Sequence, residues 1–376
     1  MTSAKLESAV APLFEPFELG GLKLRNRVVM APMTRGMSEG GVPGPDVAEY
    51  YARRAAGGVG LIITEGTVID HPTSSSRDDI PRFFGAESLV GWRAVVDAVH
   101  ENGAAIVPQL WHVGWDPLHW GHEGDFGREL RYPSSPSGID PSTKVSRNPM
   151  TQNDIADVID GFASGARVAK QLGFDGIELH GAHGYLIDQF LWEVTNQRGD
   201  RYGGKSISDR LRFAQEIVAA CRAAVGPEFP IIFRLSQWKV GHYGAKLAQD
   251  PGELATLVQP LAAAGVDIFH CSQRRFWQPE FEGSPLNLAA WVKDLSGRPA
   301  ITVGSVGLAD SDFLTYLDGG GASPSDVSDV CDRLAAGEFD LVAVGRALIA
   351  DPNWPIRVLH GQATQAFEAE MLETLF

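Results

Sequence analysis

Short runs of β-branched and other apolar residues alternate along the whole chain with longer segments in which apolar residues recur every three or four positions. The short runs predict buried strands, and the longer segments predict helices that bury one face. Strands that alternate with helices form a parallel sheet with crossover connections. Because about eight such units follow one another, the pattern predicts an α/β fold, a (β/α)8 TIM barrel.

The bounds of these elements follow from where the patterns change and where capping residues lie. The predicted barrel strands cover residues 27–34, 60–69, 105–114, 176–181, 230–237, 267–273, 299–307 and 341–349. The predicted helices cover residues 46–57, 86–102, 151–172, 206–225, 250–264, 287–296 and 325–336.

Three further segments complete the predicted architecture. Residues 10–26, with Gly20 and Gly21, predict an N-terminal hairpin that closes the bottom of the barrel. Residues 112–150 and 272–287 predict long loops after barrel strands 3 and 6, where barrels keep lids and specificity loops. We expect one domain over residues 1–376, with the barrel core at about residues 27–357.

Composition restricts the partners and the location. The formal net charge of −15 disfavours nucleic acid and anionic membranes, and no apolar run approaches the ~20 residues of a membrane span. We therefore expect a cytoplasmic protein that acts on small molecules and that can form a homo-oligomer. Cys221, Cys271 and Cys331 are far apart and lack CxxC spacing, so they are expected to be buried thiols.

The active site of such a barrel lies at the carboxyl ends of its strands. The residues predicted there are Thr34, Glu65, Gln109, His180, Arg234, His270, Ser305 and Arg346. None is a lysine, which disfavours Schiff-base chemistry, and Lys239 falls beyond the end of its predicted strand. Too few carboxylates and histidines converge for a metal centre, and His112, His119 and His122 are expected to be loop residues. A bound organic cofactor fits this set better.

The ends of the last two strands indicate a phosphate site. They read VGSVG (303–307) and VGRAL (344–348), and barrels often bind a phosphate between these two loops. Gly304 and Gly345 let the backbone approach an anion, and Arg346 can donate charge-assisted hydrogen bonds to it.

The stretch ELHGAHGYLIDQFL (178–191) gathers three polar side chains at the end of the fourth strand. His180 is predicted to point into the barrel mouth, and His183 and Tyr185 are predicted on the turn that follows. Two imidazoles so placed can donate hydrogen bonds to one carbonyl or nitro oxygen and stabilise the charge that develops during hydride addition. Tyr185 is a neutral proton source at pH 7.

In these motifs the chain resembles the Old Yellow Enzyme family of flavin-dependent NAD(P)H oxidoreductases. Further motifs that carry the resemblance are APMTR (31–35), TEGT (64–67), PQLWHVG (108–114), TNQRGDRYGG (195–204) and FRLSQW (233–238). The resemblance extends over residues 12–357. It implies FMN bound across the barrel mouth, and NADH or NADPH as the transient hydride donor. It also implies reduction of activated C=C bonds of α,β-unsaturated carbonyl compounds by a ping-pong mechanism.

The resemblance also implies roles for residues at matching positions. Substrate would be anchored by His180 and His183 and protonated by Tyr185. Apart from the resemblance, Trp111 shares the inward face of Gln109 and is expected either to wall the substrate pocket or to pack in the core. Phe276 and Trp277 are expected either to cap the substrate or to anchor their loop to the barrel rim. Thr34 would donate a hydrogen bond to the isoalloxazine, and Arg234 would place positive charge beside the reduced flavin. The residues expected to contact FMN are Pro32, Met33, Thr34, Gly66, Gln109, His180, Arg234, Gly304, Ser305, Gly345 and Arg346.

Two alternatives remain open at this point. The same flavin could serve a reductase of nitro compounds, nitrate esters or quinones. A flavin-free barrel that binds a phosphate could be an isomerase or lyase that uses Glu65 or His180 as a base. The chain also lacks the tyrosine that the best-known family members place near the C-terminus, because its last tyrosine is Tyr316. Substrate scope therefore does not follow from the resemblance.

Overall fold

The N-terminal part of the fold is a short antiparallel hairpin. In the computed structural model, which describes residues 9–121, 134–309 and 319–376, β1 (Phe17–Leu19) pairs with β2 (Leu22–Leu24). Leu22 and Leu24 are buried, and they pack in one cluster with residues from inside the barrel, including Leu61 and Ile232. The predicted hairpin is therefore confirmed, and it closes the barrel interior.

Eight parallel strands form a closed barrel, as predicted. They are β3 (Val28–Met30), β4 (Leu61–Val68), β5 (Ala105–Trp111), β6 (Ile177–His183), β7 (Ile231–Lys239), β8 (Ile268–Ser272), β9 (Ala300–Val303) and β10 (Leu341–Val344). Each pairs with its neighbours in chain order, and β10 pairs with both β9 and β3, for example Val342 with Val28. This last pairing closes the barrel.

Helices surround the barrel. They are α1 (Pro45–Ala56), α2 (Ala86–Glu101), α3 (Gln152–Leu172), α4 (Leu186–Leu191), α5 (Ile207–Arg210), α6 (Arg212–Val225), α7 (Pro251–Ala264), α8 (Leu288–Ser296), α9 (Ser328–Ala335), α10 (Arg346–Ala350) and α11 (Trp354–Leu359). Short 3-10 helices cover Ala11–Phe14, Glu39–Gly41, Pro117–His119 and Ala369–Glu373. None of the helices within the described ranges is long and apolar enough to cross a membrane.

Helix α3 shows why these segments fold as predicted. Thr151 and Asp154 form a capping box at its start, and Gly173 ends it in the left-handed conformation (φ +82°). Most of the residues that recur every three or four positions, such as Ile155 and Phe162, are fully buried, and Ile159 is partly buried. The apolar face of α3 therefore packs on the barrel, as its spacing indicated.

Several strand and helix bounds differ from the prediction, mostly near the barrel mouth. The predicted strand 341–349 ends at Val344, and its remaining apolar residues form α10. An apolar run that is buried on all sides cannot be assigned to strand or helix by periodicity alone. The segments 27–34 and 299–307 also leave the sheet early, whereas β6 and β7 extend two residues further than predicted, and the helix predicted at 206–225 divides at Leu211.

Candidate active site

A cavity of about 510 Å³ opens at the carboxyl ends of the barrel strands, in the size range of ligand pockets. It brings together most of the residues that the sequence placed in the site. The predicted residues that line it are Pro32, Met33, Thr34, Gln109, Trp111, His180, His183, Tyr185, Arg234, Gly304, Ser305, Gly345 and Arg346.

Of the residues expected to contact FMN or substrate, three are absent from the cavity lining within the described part of the chain: Gly66, Phe276 and Trp277. A Cβ atom on Gly66 would lie 2.4 Å from the Trp111 ring, so this glycine makes room for the indole. Phe276 is only 6% exposed, and its amide donates to the Gly304 carbonyl (3.0 Å). Of the two roles that the sequence left open for this aromatic pair, the contacts of Phe276 favour anchoring of the loop to the barrel rim.

The end of β6 is shaped by a local irregularity that sequence periodicity does not show. The pairing with β7 shifts between Gly181 and His183, and His183 then pairs with Lys239. His183 adopts a left-handed backbone (φ +64°), and Gly184 follows with φ +88°. His183 therefore remains part of the strand, which corrects its predicted place on the turn, and the bulge turns its side chain into the cavity.

This turn is held by side chains from β7 and α4. The His183 amide donates to Ser236 Oγ (2.9 Å), and the Gly184 amide donates to Asp188 Oδ2 (2.7 Å). Asp188 forms a fully buried ion pair with Lys239 (3.0 Å). Lys239 thus holds the turn and does not line the cavity, so its position gives no support to Schiff-base chemistry.

His180 and His183 form the polar side of an aromatic cluster. Their ring centroids lie 5.2 Å apart, and the His180 ring stacks on Trp111 at 5.9 Å. Burial and the positive charge of Arg234 hold the pKa of both imidazoles well below the usual range, so both are neutral at pH 7. His180 Nδ1 accepts from the Ala182 amide (3.4 Å), which leaves the proton on Nε2 for donation.

His183 has a partner that the sequence did not predict. Its Nε2 lies 2.8 Å from Ser272 Oγ, and its ring packs on Trp238 at 4.4 Å between centroids. The Trp238 Nε1 in turn donates to the Ser272 carbonyl (3.2 Å). Ser272 and Trp238 both line the cavity, so the second imidazole acts together with a hydroxyl group.

Tyr185 packs edge-on against the two rings beside it. Its ring centroid lies 4.9 Å from that of His180 and 4.8 Å from that of Trp111. Burial, followed by the charge of Asp116, raises the pKa of the Tyr185 phenol above its usual value. The phenol therefore stays protonated throughout the neutral range and can donate its proton.

Arg234 is a buried cation whose charge is not matched by an adjacent carboxylate. It is 7% exposed, and its Nε has no hydrogen-bond partner within the described residues. Glu178 instead accepts from Gln109 Nε2 (2.7 Å) and pairs with His270 Nδ1 (2.6 Å), and Glu65 accepts from backbone amides. A salt bridge from Arg234 to Glu178 or Glu65, the structural alternative for this arginine, is therefore not formed.

Glu65 supports the loop that follows Thr34. Its Oε2 accepts from the amides of Arg35 (2.9 Å) and Gly36 (3.1 Å), and its own amide donates to Tyr51 Oη (2.8 Å). Like His270, it lies within a barrel strand and does not line the cavity. Its position therefore gives no support to a role as a catalytic base.

Replacing Glu65 by glutamine is expected to change how stability depends on pH. Burial raises the pKa of Glu65 from 4.5 to about 7, so its contribution to stability is present below pH 4.5 and is lost as pH rises through 7. The free energy of unfolding of Glu65→Gln minus that of the parent protein should therefore be higher at pH 8 than at pH 5 by about 1–3 kcal/mol. Denaturant unfolding at both pH values measures this, and Glu49→Gln on the surface of α1 is the control. An equal effect at both pH values would contradict the assignment.

The loops after β9 and β10 present backbone to one end of the cavity. Gly304 has φ +141°, and a Cβ atom there would lie 2.5 Å from the Gln273 carbonyl oxygen, so only glycine fits. Ser305 adopts φ +54° and donates from Oγ to the Arg274 carbonyl (3.1 Å). Gly345 and Arg346 line the same end. Exposed backbone beside an arginine is the arrangement that binds phosphate.

The lining residues that were not predicted from the sequence include Arg35, Arg77, Ser272, Arg274 and Leu372. They lie on irregular loops, at a strand end that lacks a sequence signal, or in the C-terminal 3-10 helix. Arg35 Nη2 donates to the carbonyl of Leu372 (3.1 Å) and so brings the C-terminal segment to the cavity. Leucine thus occupies the C-terminal wall of this cavity.

The described histidines of the loop after β5, His112 and His119, are not part of the cavity lining. His112 is buried beside Thr73 and His71, with its Nε2 3.2 Å from His71 Nδ1. His119 ends the 3-10 helix Pro117–His119. His122 lies outside the described residues.

The donors of the cavity fit FMN. Arg234 supplies a buried positive charge, Gln109 supplies an amide, and the loops of Gly304 and Gly345, after β9 and β10, supply backbone groups. A flavin carries an anionic phosphate and a ring edge that becomes anionic on reduction, so each group finds a complementary partner.

Comparison with known proteins agrees with this arrangement. Residues 12–365 match the NADH:flavin oxidoreductase / NADH oxidase family. The chain is 35% identical to an NADH oxidase of Thermoanaerobacter brockii over 94% of its length, but it spans only 51% of that relative. It is 40% identical to 12-oxophytodienoate reductase 7 of Oryza sativa subsp. japonica, covering 91% of this chain and 86% of the relative.

Solved structures show the same likeness. A structure of morphinone reductase in complex with tetrahydroNAD superimposes with a TM-score of 0.74 and 30% identity, over 94% of this chain and 92% of that one. The expected resemblance to the Old Yellow Enzyme family is thereby confirmed, and the chain belongs to the NADH:flavin oxidoreductase / NADH oxidase family.

Proposed function

We propose that this protein is an FMN-dependent NAD(P)H oxidoreductase that reduces the activated C=C bond of α,β-unsaturated carbonyl compounds. When bound, the FMN supplies hydride transfer between the nicotinamide and the alkene. The observation that carries the proposal is the grouping of two neutral imidazoles and a protonated phenol in one cavity that also contains the buried Arg234.

The protein residues have separate parts in the proposed reaction. His180 Nε2–H donates to the carbonyl oxygen of the alkene, and His183 with Ser272 provides the second polar contact. These donors stabilise the negative charge that develops on the oxygen as hydride reaches the β-carbon. Tyr185 then gives its proton to the α-carbon, which completes the addition of H⁻ and H⁺ across the C=C bond.

Neutral histidines suit this chemistry because an uncharged donor stabilises developing charge without repelling the nearby Arg234. Trp111 forms the wall behind His180 and Tyr185, and Gln109 and Thr34 lie on the lining where the flavin ring is proposed to bind. Gly304, Ser305, Gly345 and Arg346 are proposed to hold its phosphate.

The absorption spectrum of the purified protein, followed by anaerobic titration, tests the proposal. We expect flavin bands that bleach on addition of NADH or NADPH and return on addition of an enone. A protein that neither carries nor binds FMN would contradict it. Recovery with a nitro compound or a quinone, but not with an enone, would move the assignment to another reductase on the same flavin.

Replacing Arg234 by glutamine should weaken FMN binding and stabilise the protein without flavin. The loss of one charge-assisted contact is expected to reduce flavin affinity by about 10- to 100-fold. Because a buried guanidinium without an adjacent carboxylate is costly, its removal should raise the unfolding temperature of the flavin-free protein. Fluorescence titration with FMN and thermal unfolding measure the two effects. A fall in both properties would show that Arg234 has a structural role.

A further inference from the structure

The cavity is strongly basic although the protein is acidic. Its lining includes no aspartate or glutamate within the described residues, whereas the whole chain has a net charge of −15. The five arginines that line it are Arg35, Arg77, Arg234, Arg274 and Arg346. Clustered charge of one sign in a cleft attracts ligands of the opposite sign.

Four of these five arginines are assigned to the proposed FMN site or to contacts within the fold. Arg234 and Arg346 are proposed to contact FMN, and Arg35 donates to the carbonyls of Met371, Leu372 and Thr374. The Arg274 guanidinium lies over the Tyr243 ring, 5.0 Å from its centroid. Arg77 pairs with Asp79 of its own loop, and this pair alone does not explain its place on the cavity lining.

Arg77 is held in a defined orientation at the rim of the cavity. Its Nε and Nη2 donate to the two carboxylate oxygens of Asp79, at 2.9 and 2.5 Å. Its Nη2 also rests against the backbone of Gly36, where a Cβ atom would lie only 2.5 Å away. This bidentate contact leaves the third nitrogen, Nη1, without a hydrogen bond to any described residue.

Arg77 lies near Tyr185 and Thr34 but is not one of the residues with a proposed part in the reaction. It follows β4, and Gly36, on which it rests, comes two residues after Thr34. It is close enough to Tyr185 for its charge to oppose the rise in the phenol's pKa. Its side chain is 47% exposed, so it can reach a group that projects from the cavity towards solvent.

Resting on the proposed flavin function, we propose that Arg77 binds an anionic group carried by the molecule that occupies the cavity above the flavin. A planar guanidinium with one side fixed by a carboxylate is oriented for a phosphate or a carboxylate on its other side. The anion comes either from the phosphates of the nicotinamide dinucleotide or from a carboxylate on the alkene. Asp79 orients Arg77 and also competes with the ligand by its own negative charge.

Two substitutions that are expected to change ligand affinity in opposite directions test the proposal in the flavin-loaded protein. Arg77→Gln should weaken the binding of the anionic ligand by about 3- to 10-fold, as expected for a partly exposed charged contact. Asp79→Asn keeps a side-chain oxygen for Arg77 but removes the competing charge, so it should strengthen binding by about 2- to 5-fold. Arg82→Gln is the control, because Arg82 pairs with Asp78 in the same loop but does not line the cavity.

The source of the anion is distinguished by the ligands used. Calorimetric titration with tetrahydro-NADH and tetrahydro-NADPH, which cannot donate hydride, measures the binding of the dinucleotide. Reoxidation of reduced enzyme by 2-cyclohexenone, and by a 2-cyclohexenone that carries a ring carboxylate, measures the alkene. The proposal is supported if Arg77→Gln weakens and Asp79→Asn strengthens the binding of the dinucleotides alone, or of the charged enone alone. The class of ligand that responds is the source of the anion.

Two results would overturn the proposal. One is that neither class of anionic ligand responds to Arg77→Gln or Asp79→Asn. The other is that neutral 2-cyclohexenone responds as strongly as the charged ligands, which indicates a change in cavity shape. Failure of the proposed function itself looks different, because wild-type protein would then show no flavin reduction. If Arg77→Gln does not fold, Asp79→Asn and its expected gain in affinity still decide the question.

Discussion

Replacing Tyr185 by phenylalanine is expected to slow the reduction of an activated alkene by about 10²- to 10⁴-fold, the range that a positioned general acid contributes. The substitution removes only the hydroxyl group, so the ring contacts with His180 and Trp111 are retained. Reduction of the flavin by NADH or NADPH needs no proton from the phenol, and its rate should stay within about twofold of wild type.

Stopped-flow measurement of the two half-reactions separates these effects. The rate of flavin bleaching by the nicotinamide gives the first, and the rate of its recovery with an enone gives the second. An equal loss in both half-reactions would assign Tyr185 a structural role. An acceptor that takes electrons without a proton at carbon, such as a quinone, should be affected much less and serves as an internal control.

Replacing Lys239 by methionine is expected to destabilise the protein by about 3–5 kcal/mol, because it leaves the Asp188 carboxylate buried without its partner. Both side chains of this pair are fully buried, and Lys239 Nζ also donates to the Gln237 carbonyl (2.8 Å). Denaturant unfolding gives the change in free energy. Lys246→Met is the matched control, since the pair of Lys246 with Glu280 is partly exposed and should contribute less than about 1 kcal/mol.

The pH dependence of this variant provides a second check. Burial raises the pKa of Asp188 to about 6 even with Lys239 beside it, and removal of the cation should raise that pKa further. A carboxyl group whose pKa is raised by folding contributes stability at low pH that is lost as pH rises. The deficit of Lys239→Met should therefore be smaller at pH 5 than at pH 8. The double variant Asp188→Asn, Lys239→Met should recover much of the loss, and a deficit that remains unchanged would contradict the argument.

The barrel could be predicted from the sequence because its signal is repeated about eight times in the chain. Alternation along a strand also placed Gln109, His180 and Arg234 correctly, since every second residue of a barrel strand points inward. The prediction of one strand over residues 341–349 was wrong, because Ala347, Leu348 and Ile349 are buried in a short helix and show neither period.

Other parts of the site depend on contacts between residues that are distant in sequence. Ser272 lies 89 positions from His183, and their hydrogen bond forms because the bulge in β6 turns the imidazole towards β8. The residues around Arg77 show neither the helix period nor the strand period, so the sequence did not predict that Arg77 contacts Gly36. The sequence left Phe276 open between a cap over the substrate and an anchor at the rim, and only its hydrogen bond to Gly304 and its place in the core decide between the two.

The pairing of β10 with both β3 and β9 also has a consequence for synthesis of the protein. The strand that completes the cylinder, Leu341–Val344, is translated more than three hundred residues after its neighbour Val28–Met30. Until it leaves the ribosome, the nascent sheet has two open edges, which is the state most exposed to wrong pairing with other chains. The phosphate site proposed for FMN lies in the loops after β9 and β10, so it too is completed only when almost the whole chain has been synthesised.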